Sequence, residues 1–93
     1  MYVSIRQYRT DDVQEVARRA QDGFVPIVRD VSGFSAYYIV DGGDGAFTTI
    51  TVAEDKAGVE ESVNKASEWV RENAADLVDG APTVTNGEVV AHG

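Results

Sequence analysis

Hydrophobic and polar residues alternate along three stretches of the chain in a way that predicts β-strands. In residues 2–8, Val3, Ile5 and Gln7 fall on one face and the residues between them on the other. Successive side chains of a strand point to opposite faces of a sheet, so this stretch is predicted to be the first strand. Residues 34–40 and 46–53 flank the glycine-rich segment DGGDG at 41–45, and together they predict a hairpin with that segment as its loop.

Apolar residues at helical spacing predict two helices. Thr10 or Asp11 is the expected N-terminal cap of the first, and Pro26 is expected to break it because proline cannot donate a backbone hydrogen bond. Asp55 is the expected cap of the second, which the segment 80–82 (Gly-Ala-Pro) is expected to end. The apolar stripes comprise Val13, Val16, Ala17, Ala20, Phe24 and Ile27 in the first helix, and Val59, Val63, Ala66, Val70 and Leu77 in the second.

A last strand is predicted over residues 83–91, which completes the order β-α-β-β-α-β. This order is typical of the ferredoxin-like α+β fold, a four-stranded antiparallel sheet with both helices on one face. Asn86-Gly87 is expected to form a bulge in this strand and not a hairpin turn, because only about three residues remain on either side. The whole chain, residues 1–93, is expected to form one domain.

Both faces of the predicted sheet carry apolar side chains. The face rich in β-branched residues is predicted to pack against the helices, which leaves an aromatic patch on the bare face. A patch of several hundred Å² is near the upper limit for a monomer, so a second copy of the chain is expected to cover it as a homodimer. The helix side is assigned Val3, Ile5, Phe34, Tyr38, Val40, Ile50 and Val52, and the dimer interface Tyr2, Tyr8, Tyr37, Ile39 and Phe47.

Composition excludes several classes of function. Sixteen acidic residues against eight basic ones give a net charge of −8, which repels phosphate backbones and argues against a nucleic-acid partner. The chain has no cysteine, one histidine and scattered carboxylates, so no metal site is predicted. No apolar stretch approaches the roughly 20 residues that cross a bilayer, and the first residues lack a signal-peptide pattern. We therefore expect a cytoplasmic protein without membrane contacts.

The segments GFSAYYIVD, TITVAED, ASEWVREN and GEVVAHG, taken with the element order, carry a family resemblance. Over nearly its whole length the chain resembles the antibiotic-biosynthesis-monooxygenase-like family of dimeric α+β barrels. The resemblance implies two ferredoxin-like subunits that pack their sheets into a barrel, with a pocket between each sheet and its own helices. Members of this family include monooxygenases that oxidise phenols or quinols without metal or flavin, haem-degrading enzymes, and many proteins with no assigned activity.

The haem-degrading branch fits this chain in fold but not in its working residues. That branch uses an Asn on the first strand, and a Trp and a haem-ligating His on the second helix. Gln7 and Ser62 stand near the places of the Asn and the Trp, and the predicted second helix contains no His. The resemblance therefore favours cofactor-independent oxygenation over haem degradation, and no cofactor is predicted.

Five residues are candidates for lining the implied pocket, and each has a plain structural alternative. Gln7 is a binding group or a core amide with an internal hydrogen bond, and Trp69 is a pocket wall or a packing residue. His92 stands at the chain end, where a fixed general base is not expected, and the catalytic residues stay unassigned. Two functions remain open: a monooxygenase acting on a small phenol or quinol, and a non-catalytic small-ligand-binding protein. The pocket candidates are Gln7, Phe34, Tyr38, Trp69 and Asn73.

Overall fold

The computed structural model describes residues 1–93 and contains four strands and three helices. All strand pairs are antiparallel and the sheet order is β2-β3-β1-β4, which confirms the predicted ferredoxin-like α+β fold. No helix is long and apolar enough to cross a membrane. The elements are β1 (Tyr2–Arg9), α1 (Val13–Gly23), α2 (Val25–Val28), β2 (Phe34–Gly43), β3 (Ala46–Ala53), α3 (Lys56–Asn73) and β4 (Thr83–Glu88).

The β2–β3 hairpin has a tighter loop than the predicted segment 41–45. Gly43 already pairs with Ala46, and the two residues between them, Asp44 and Gly45, both have positive φ, as a two-residue hairpin turn requires. With residues 41–45 as the loop, Val40 is expected opposite Ala46, whereas in the structure it pairs with Thr48.

The two predicted N-terminal caps differ in outcome. Asp55 caps α3 as expected, because its Oδ1 accepts a hydrogen bond from the Gly58 backbone N–H at 2.9 Å. Asp12 caps α1, where Thr10 or Asp11 was predicted, and its Oδ1 accepts from the Glu15 N–H at 3.1 Å. Thr10 is still bound to the sheet through a bridge with Val78, so the helix starts later than the sequence indicates.

The helix α3 ends at Asn73, before the predicted end at residues 80–82. Its C-terminal cap, Ala74, is fully buried, and the chain turns there to run back toward the sheet. The Asp79 N–H then donates to the Arg9 carbonyl oxygen, next to the bridge between Val78 and Thr10. Residues 74–79 therefore close one end of the space between the sheet and the helices.

The last strand, β4, is a single strand, but the predicted bulge at Asn86-Gly87 is wrong. Ser4 pairs with Asn86 and Val3 with Gly87 in an uninterrupted register along β1. The strand is also shorter than predicted and ends at Glu88.

The two faces of the sheet are exchanged relative to the prediction. The helix α1 buries only Val16 and Ala20 against the sheet, so large rings from the strands fill the remaining gap. The β-branched residues predicted to meet the helices lie on the outer face instead; Ile5 and Val40 are exposed there. The predicted dimer interface is therefore wrong, because four of its residues pack against the helices: Tyr8, Tyr37, Ile39 and Phe47. The fifth, Tyr2, lies beside Val59 of α3 on the same inner side.

Candidate functional site

A mostly apolar cavity lies between the inner face of the sheet and the helices. It has a volume of about 20 Å³, which is room for about one water molecule. Aromatic rings form most of its wall: Tyr8 stacks on Phe47 with centroids 4.9 Å apart, and Phe24 meets both Tyr37 and Trp69. The remaining lining residues are Arg6, Val16, Ala20, Ile39, Thr49, Ala66, Val70, Ala74 and Val78.

The sheet places one charged residue, Arg6, in this apolar wall. Arg6 is 2% exposed, and its Nη2 donates to Thr51 Oγ1 at 3.1 Å. Its Nε and Nη1 have no partner within the protein, and the same is true of the buried Ser4 Oγ and Thr49 Oγ1 beside it on the strands. Buried polar groups in proteins are nearly always paired, and a buried guanidinium normally faces a carboxylate. This cluster therefore has unused capacity to bind a polar group.

The two tyrosines near Arg6 remain protonated at neutral pH. Burial raises the pKa of both Tyr8 and Tyr37, and the charge of Arg6 opposes this effect only in part. A phenol in this state can donate a hydrogen bond but cannot act as a general base. Besides these tyrosines and Arg6, no titratable side chain lines the cavity, so no carboxylate or histidine is available there to remove a proton.

The helices hold Trp69 in a fixed position at the cavity wall. Trp69 is 8% exposed and packs beside Phe24, which closes the first helical segment. A Cβ placed on Gly23 would lie 3.1 Å from the indole Nε1, so the absence of a side chain at this position lets the ring lie against the end of α1. The short helix α2 begins at Val25 directly after this contact, with Pro26 in its first turn, in agreement with the predicted break.

An ion pair joins α1 to the segment after α3. Arg19 Nη1 donates to Asp76 Oδ1 at 2.9 Å and to the Asn73 carbonyl oxygen at 3.0 Å. Arg19 lowers the pKa of the Asp76 carboxyl through this bond. The pair is exposed and links α1 to the segment that follows α3.

A groove of about 180 Å³ runs along the outside of the cavity, between α1 and the edge strand β2. Tyr37 and Ile39 line both the groove and the cavity, so these two side chains lie between the interior and the surface. Movement of these side chains would give access from the groove to Arg6. The other residues of the groove are Ala17, Gln21 and Val25.

The structure brings only part of the predicted pocket set together. Trp69 lines the cavity, and Phe34 packs against the same core. Gln7 and Tyr38 lie on the outer face of the sheet, where Tyr38 is 56% exposed, because the inner face belongs to their sequence neighbours. Asn73 is exposed at the end of α3, one turn after Trp69, and its Nδ2 donates to the Trp69 carbonyl oxygen at 3.1 Å. His92 lies beyond β4 in the exposed C-terminal segment.

Sequence reasoning missed Arg6, Thr49 and the inward role of Tyr8 and Phe47. The available signal was the alternation Ser4-x-Arg6-x-Tyr8, which looks like a solvated face because it contains a charge. No group of three or more His, Cys, Asp or Glu side chains could hold a metal ion.

Comparison with known proteins identifies structures of the same fold. No protein-family model and no curated protein matches the sequence. The NE2512 protein of unknown function from Nitrosomonas europaea superposes with a TM-score of 0.77 at 22% identity, over 99% of this chain and 91% of that one.

Two further matches carry an activity in their names. The ActVA-Orf6 monooxygenase of Streptomyces coelicolor, in complex with nanaomycin D, gives a TM-score of 0.72 at 19% identity, over 98% of this chain and 92% of that one. SnoaB of Streptomyces nogalater, a cofactor-independent oxygenase, gives 0.73 at 8% identity, over 98% and 94%. At these identities the similarity establishes the fold. The chain therefore has the fold of the antibiotic-biosynthesis-monooxygenase-like proteins, the family that its sequence resembles.

Proposed function

We propose that the protein is a cofactor-independent monooxygenase acting on a small phenol or quinol. The observation that carries this proposal is the cavity with aromatic walls and the buried Arg6 guanidinium. Apolar cavities with a few polar groups are typical of small-molecule sites, and aromatic walls suit a planar ring. Structures of the same fold include a monooxygenase and a cofactor-independent oxygenase, which supports the assignment of the reaction class.

In this reaction the substrate supplies every electron. A phenol and one O₂ give a quinone and one water: one oxygen atom forms the new C=O bond, and the other leaves as water with the two hydrogens the substrate loses. The protein contributes orientation, exclusion of water and stabilisation of the ionised phenol. Because the cavity lacks a base, the substrate has to enter already ionised or lose its proton to water.

The absence of a base also favours a second function, non-catalytic binding of a small aromatic ligand. Tyr8 and Tyr37 keep their protons, and no other group lining the cavity can accept one at neutral pH. The two functions differ in one measurable quantity, the consumption of oxygen.

Oxygen uptake by metal-free and flavin-free protein with simple phenols, naphthols and hydroquinones tests the proposal. We expect uptake of one O₂ per quinone formed. Ala66→Leu fills the cavity and should abolish uptake, whereas Ala57→Leu at an exposed position of the same helix should not. Far-UV circular dichroism verifies that both variants fold. Binding of these compounds, seen as quenching of the single tryptophan, without oxygen uptake would refute the enzyme and support the binding protein.

We further propose that the protein forms a homodimer through the outer face of the sheet, not through the ring-bearing face predicted from the sequence. In a chain of net charge −8, the central part of this face contains no charged residue, and Arg9, a cation, lies at one end of it in β1. A second acidic copy can approach an uncharged apolar face with the least repulsion. The face consists of three rows across the sheet: Ala36, Val52, Val3 and Gly87; Tyr38, Ile50, Ile5 and Thr85; Val40, Thr48, Gln7 and Thr83.

Sedimentation velocity tests this assembly. The wild type should sediment at twice the 10.0 kDa chain mass, and Ile5→Asp, in the middle row on an inner strand, should give a monomer. Val90→Asp makes the same chemical change at a position that is 91% exposed, and it should leave the dimer intact. A monomeric wild type at micromolar concentration would refute the proposal.

A further inference from the structure

Arg6 is a buried cation without a counter-ion. Arg6 lies on the inner strand β1, with β3 on one side and β4 on the other, and the residue is only 2% exposed. The lining of the cavity contains no acidic side chain. Arginine keeps its positive charge in proteins, and such a charge away from water is retained only where something pairs with it. An anionic group on a ligand would complete this site.

Arg6 keeps several free donors for an anion. Nε and Nη1 have no partner, and Nη2 carries a second N–H besides the one that it donates to Thr51 Oγ1. The space beside these donors is small, because the whole cavity has room for about one water molecule. One oxygen attached directly to a ring fits this space better than the two oxygens of a carboxylate. The neighbouring Thr49 hydroxyl interacts weakly with the Tyr37 hydroxyl but makes no hydrogen bond of normal geometry, so it can donate to the same oxygen.

The surroundings determine what the oxygen is attached to. Phe24, Phe47 and Trp69 present ring surfaces to the cavity, and the polar groups are confined to the strand side. We propose that Arg6 binds the ionised oxygen of a planar aromatic ligand, a phenolate or enolate. This inference rests on the proposed function for its ligand class, and it adds that the substrate is held as an oxyanion. Entry of a ring requires Tyr37 and Ile39 to move toward the groove, because the cavity as it stands has room for only about one water molecule.

Titration of bound para-nitrophenol tests the proposal, because its phenolate absorbs visible light. Arg6 acts on Tyr8 and Tyr37 through its charge alone and does not overcome their burial, whereas the ligand oxygen would accept hydrogen bonds directly from Arg6. A directly paired opposite charge lowers the pKa of an acid by about one to three units, so half-ionisation should move about one pH unit lower on binding. Only Tyr8 and Tyr37 among the titratable groups of the strands face Arg6 in the cavity. The helices contribute none, so the transition near neutral pH belongs to the ligand.

Three arms make the test specific. Arg6→Met should abolish the shift and weaken phenolate binding at least about tenfold, and Arg6→Lys should restore part of both. Para-nitroanisole, which lacks the acidic oxygen, should bind the wild type and Arg6→Met equally. Para-nitrobenzoate should bind more weakly than para-nitrophenolate. If para-nitrobenzoate binds more tightly, the site prefers a carboxylate to a phenolate, and the proposal is overturned.

Further outcomes would also overturn it. A shift that persists in Arg6→Met, or a wild type that binds para-nitroanisole but leaves the ionisation of para-nitrophenol unchanged, would refute the role of Arg6. A wild type that binds none of the three probes would show that the cavity does not open to aromatic ligands. If Arg6→Met lacks the wild-type circular dichroism spectrum, Arg6→Gln, which keeps an amide donor without the charge, replaces it and should also abolish the shift.

The proposal and the enzymatic function can fail separately. An Arg6-dependent shift without oxygen uptake would refute the monooxygenase and leave the oxyanion site standing. Oxygen uptake that Arg6→Met leaves unchanged would refute the oxyanion site and leave the reaction standing.

Discussion

The replacement of Arg6 by methionine should stabilise the protein. In the folded chain Arg6 is almost completely buried, and only one of its three nitrogens has a hydrogen-bond partner. Methionine has a similar length and no donors, so it can follow the same path between the strands and helices. A residue retained for binding at the expense of stability should behave in this way, whereas a structural residue should not.

The magnitude follows from the two donors without a partner. Each buried donor left without a hydrogen bond costs about 1–3 kcal/mol, and Arg6→Met removes both. The substitution also removes the hydrogen-bond donor of Thr51 Oγ1, and this loss destabilises the folded protein by about as much as one donor without a partner. The expected net gain in the free energy of unfolding is about 1–2 kcal/mol. For a domain of this size that gain corresponds to a rise in Tm of roughly 5–15 °C.

Urea unfolding at one fixed protein concentration, followed by Trp69 fluorescence, measures the difference. Arg71→Met makes the same chemical change at an exposed position of α3 and should leave the midpoint almost unchanged. If Arg6→Met lowers the free energy of unfolding by more than about 1 kcal/mol while Arg71→Met does not, Arg6 has structural partners in the folded state and the reasoning fails.

Three further variants test the elements around the site. Gly58→Ala should destabilise the protein by about 1–3 kcal/mol, because a Cβ at this position would lie 2.7 Å from the Ser32 carbonyl oxygen. Alanine has the better helix propensity, so an unchanged Tm would contradict this prediction. Asp55→Ala removes the cap of α3 and should cost about 0.5–2 kcal/mol in urea unfolding, and Asp55→Asn should recover most of it. Two arginines lower the pKa of Glu15 from 4.5 to about 2, so its contribution to stability is complete above 4.5 and is lost as the pH falls toward about 2. Glu15→Gln should therefore be less stable than wild type at neutral pH and equal to it near pH 2; a difference that does not depend on pH would exclude this ion pair as the cause.

The order and type of the elements could be predicted from the sequence because their signals are local. Alternation over residues 2–8 and 46–53, Pro26 within a helical pattern and the carboxylate of Asp55 each act within a few residues. The residues at which helices begin and end were harder to predict from the sequence. Thr10 pairs with Val78 and Ala74 is buried in the core, and these tertiary contacts, not helix propensity, determine where α1 begins and α3 ends.

The orientation of the sheet could not be predicted because both of its faces are apolar. A strand pattern with period two identifies which residues share a face, but it does not identify the face that the helices cover. The residues were grouped correctly except for Phe34, which an irregularity between Phe34 and Ala36 moves to the inner face. Val3 and Ile5 were predicted to face the helices because β-branched residues are common in the core of a sheet. The actual choice depends on the small residues of α1, which leave a gap that only rings such as Tyr8 and Phe47 fill.

Most of the candidate site could not be predicted because the wrong face of the sheet was assigned to the helices. Arg6, however, could have been identified as a candidate. Arg6 lies in the middle of β1, and β1 is an inner strand in the strand order that the ferredoxin-like fold dictates. Helices cover one face of that sheet, and a second copy of the chain covers the other if the homodimer forms. A charged residue at that position is therefore buried whichever way the strand faces, although only the inner face brings it to Trp69 and Phe24. Burial of a charge opposes folding unless something pairs with it, so Arg6 could have been selected from the sequence as a candidate binding residue before the face that it occupies is known.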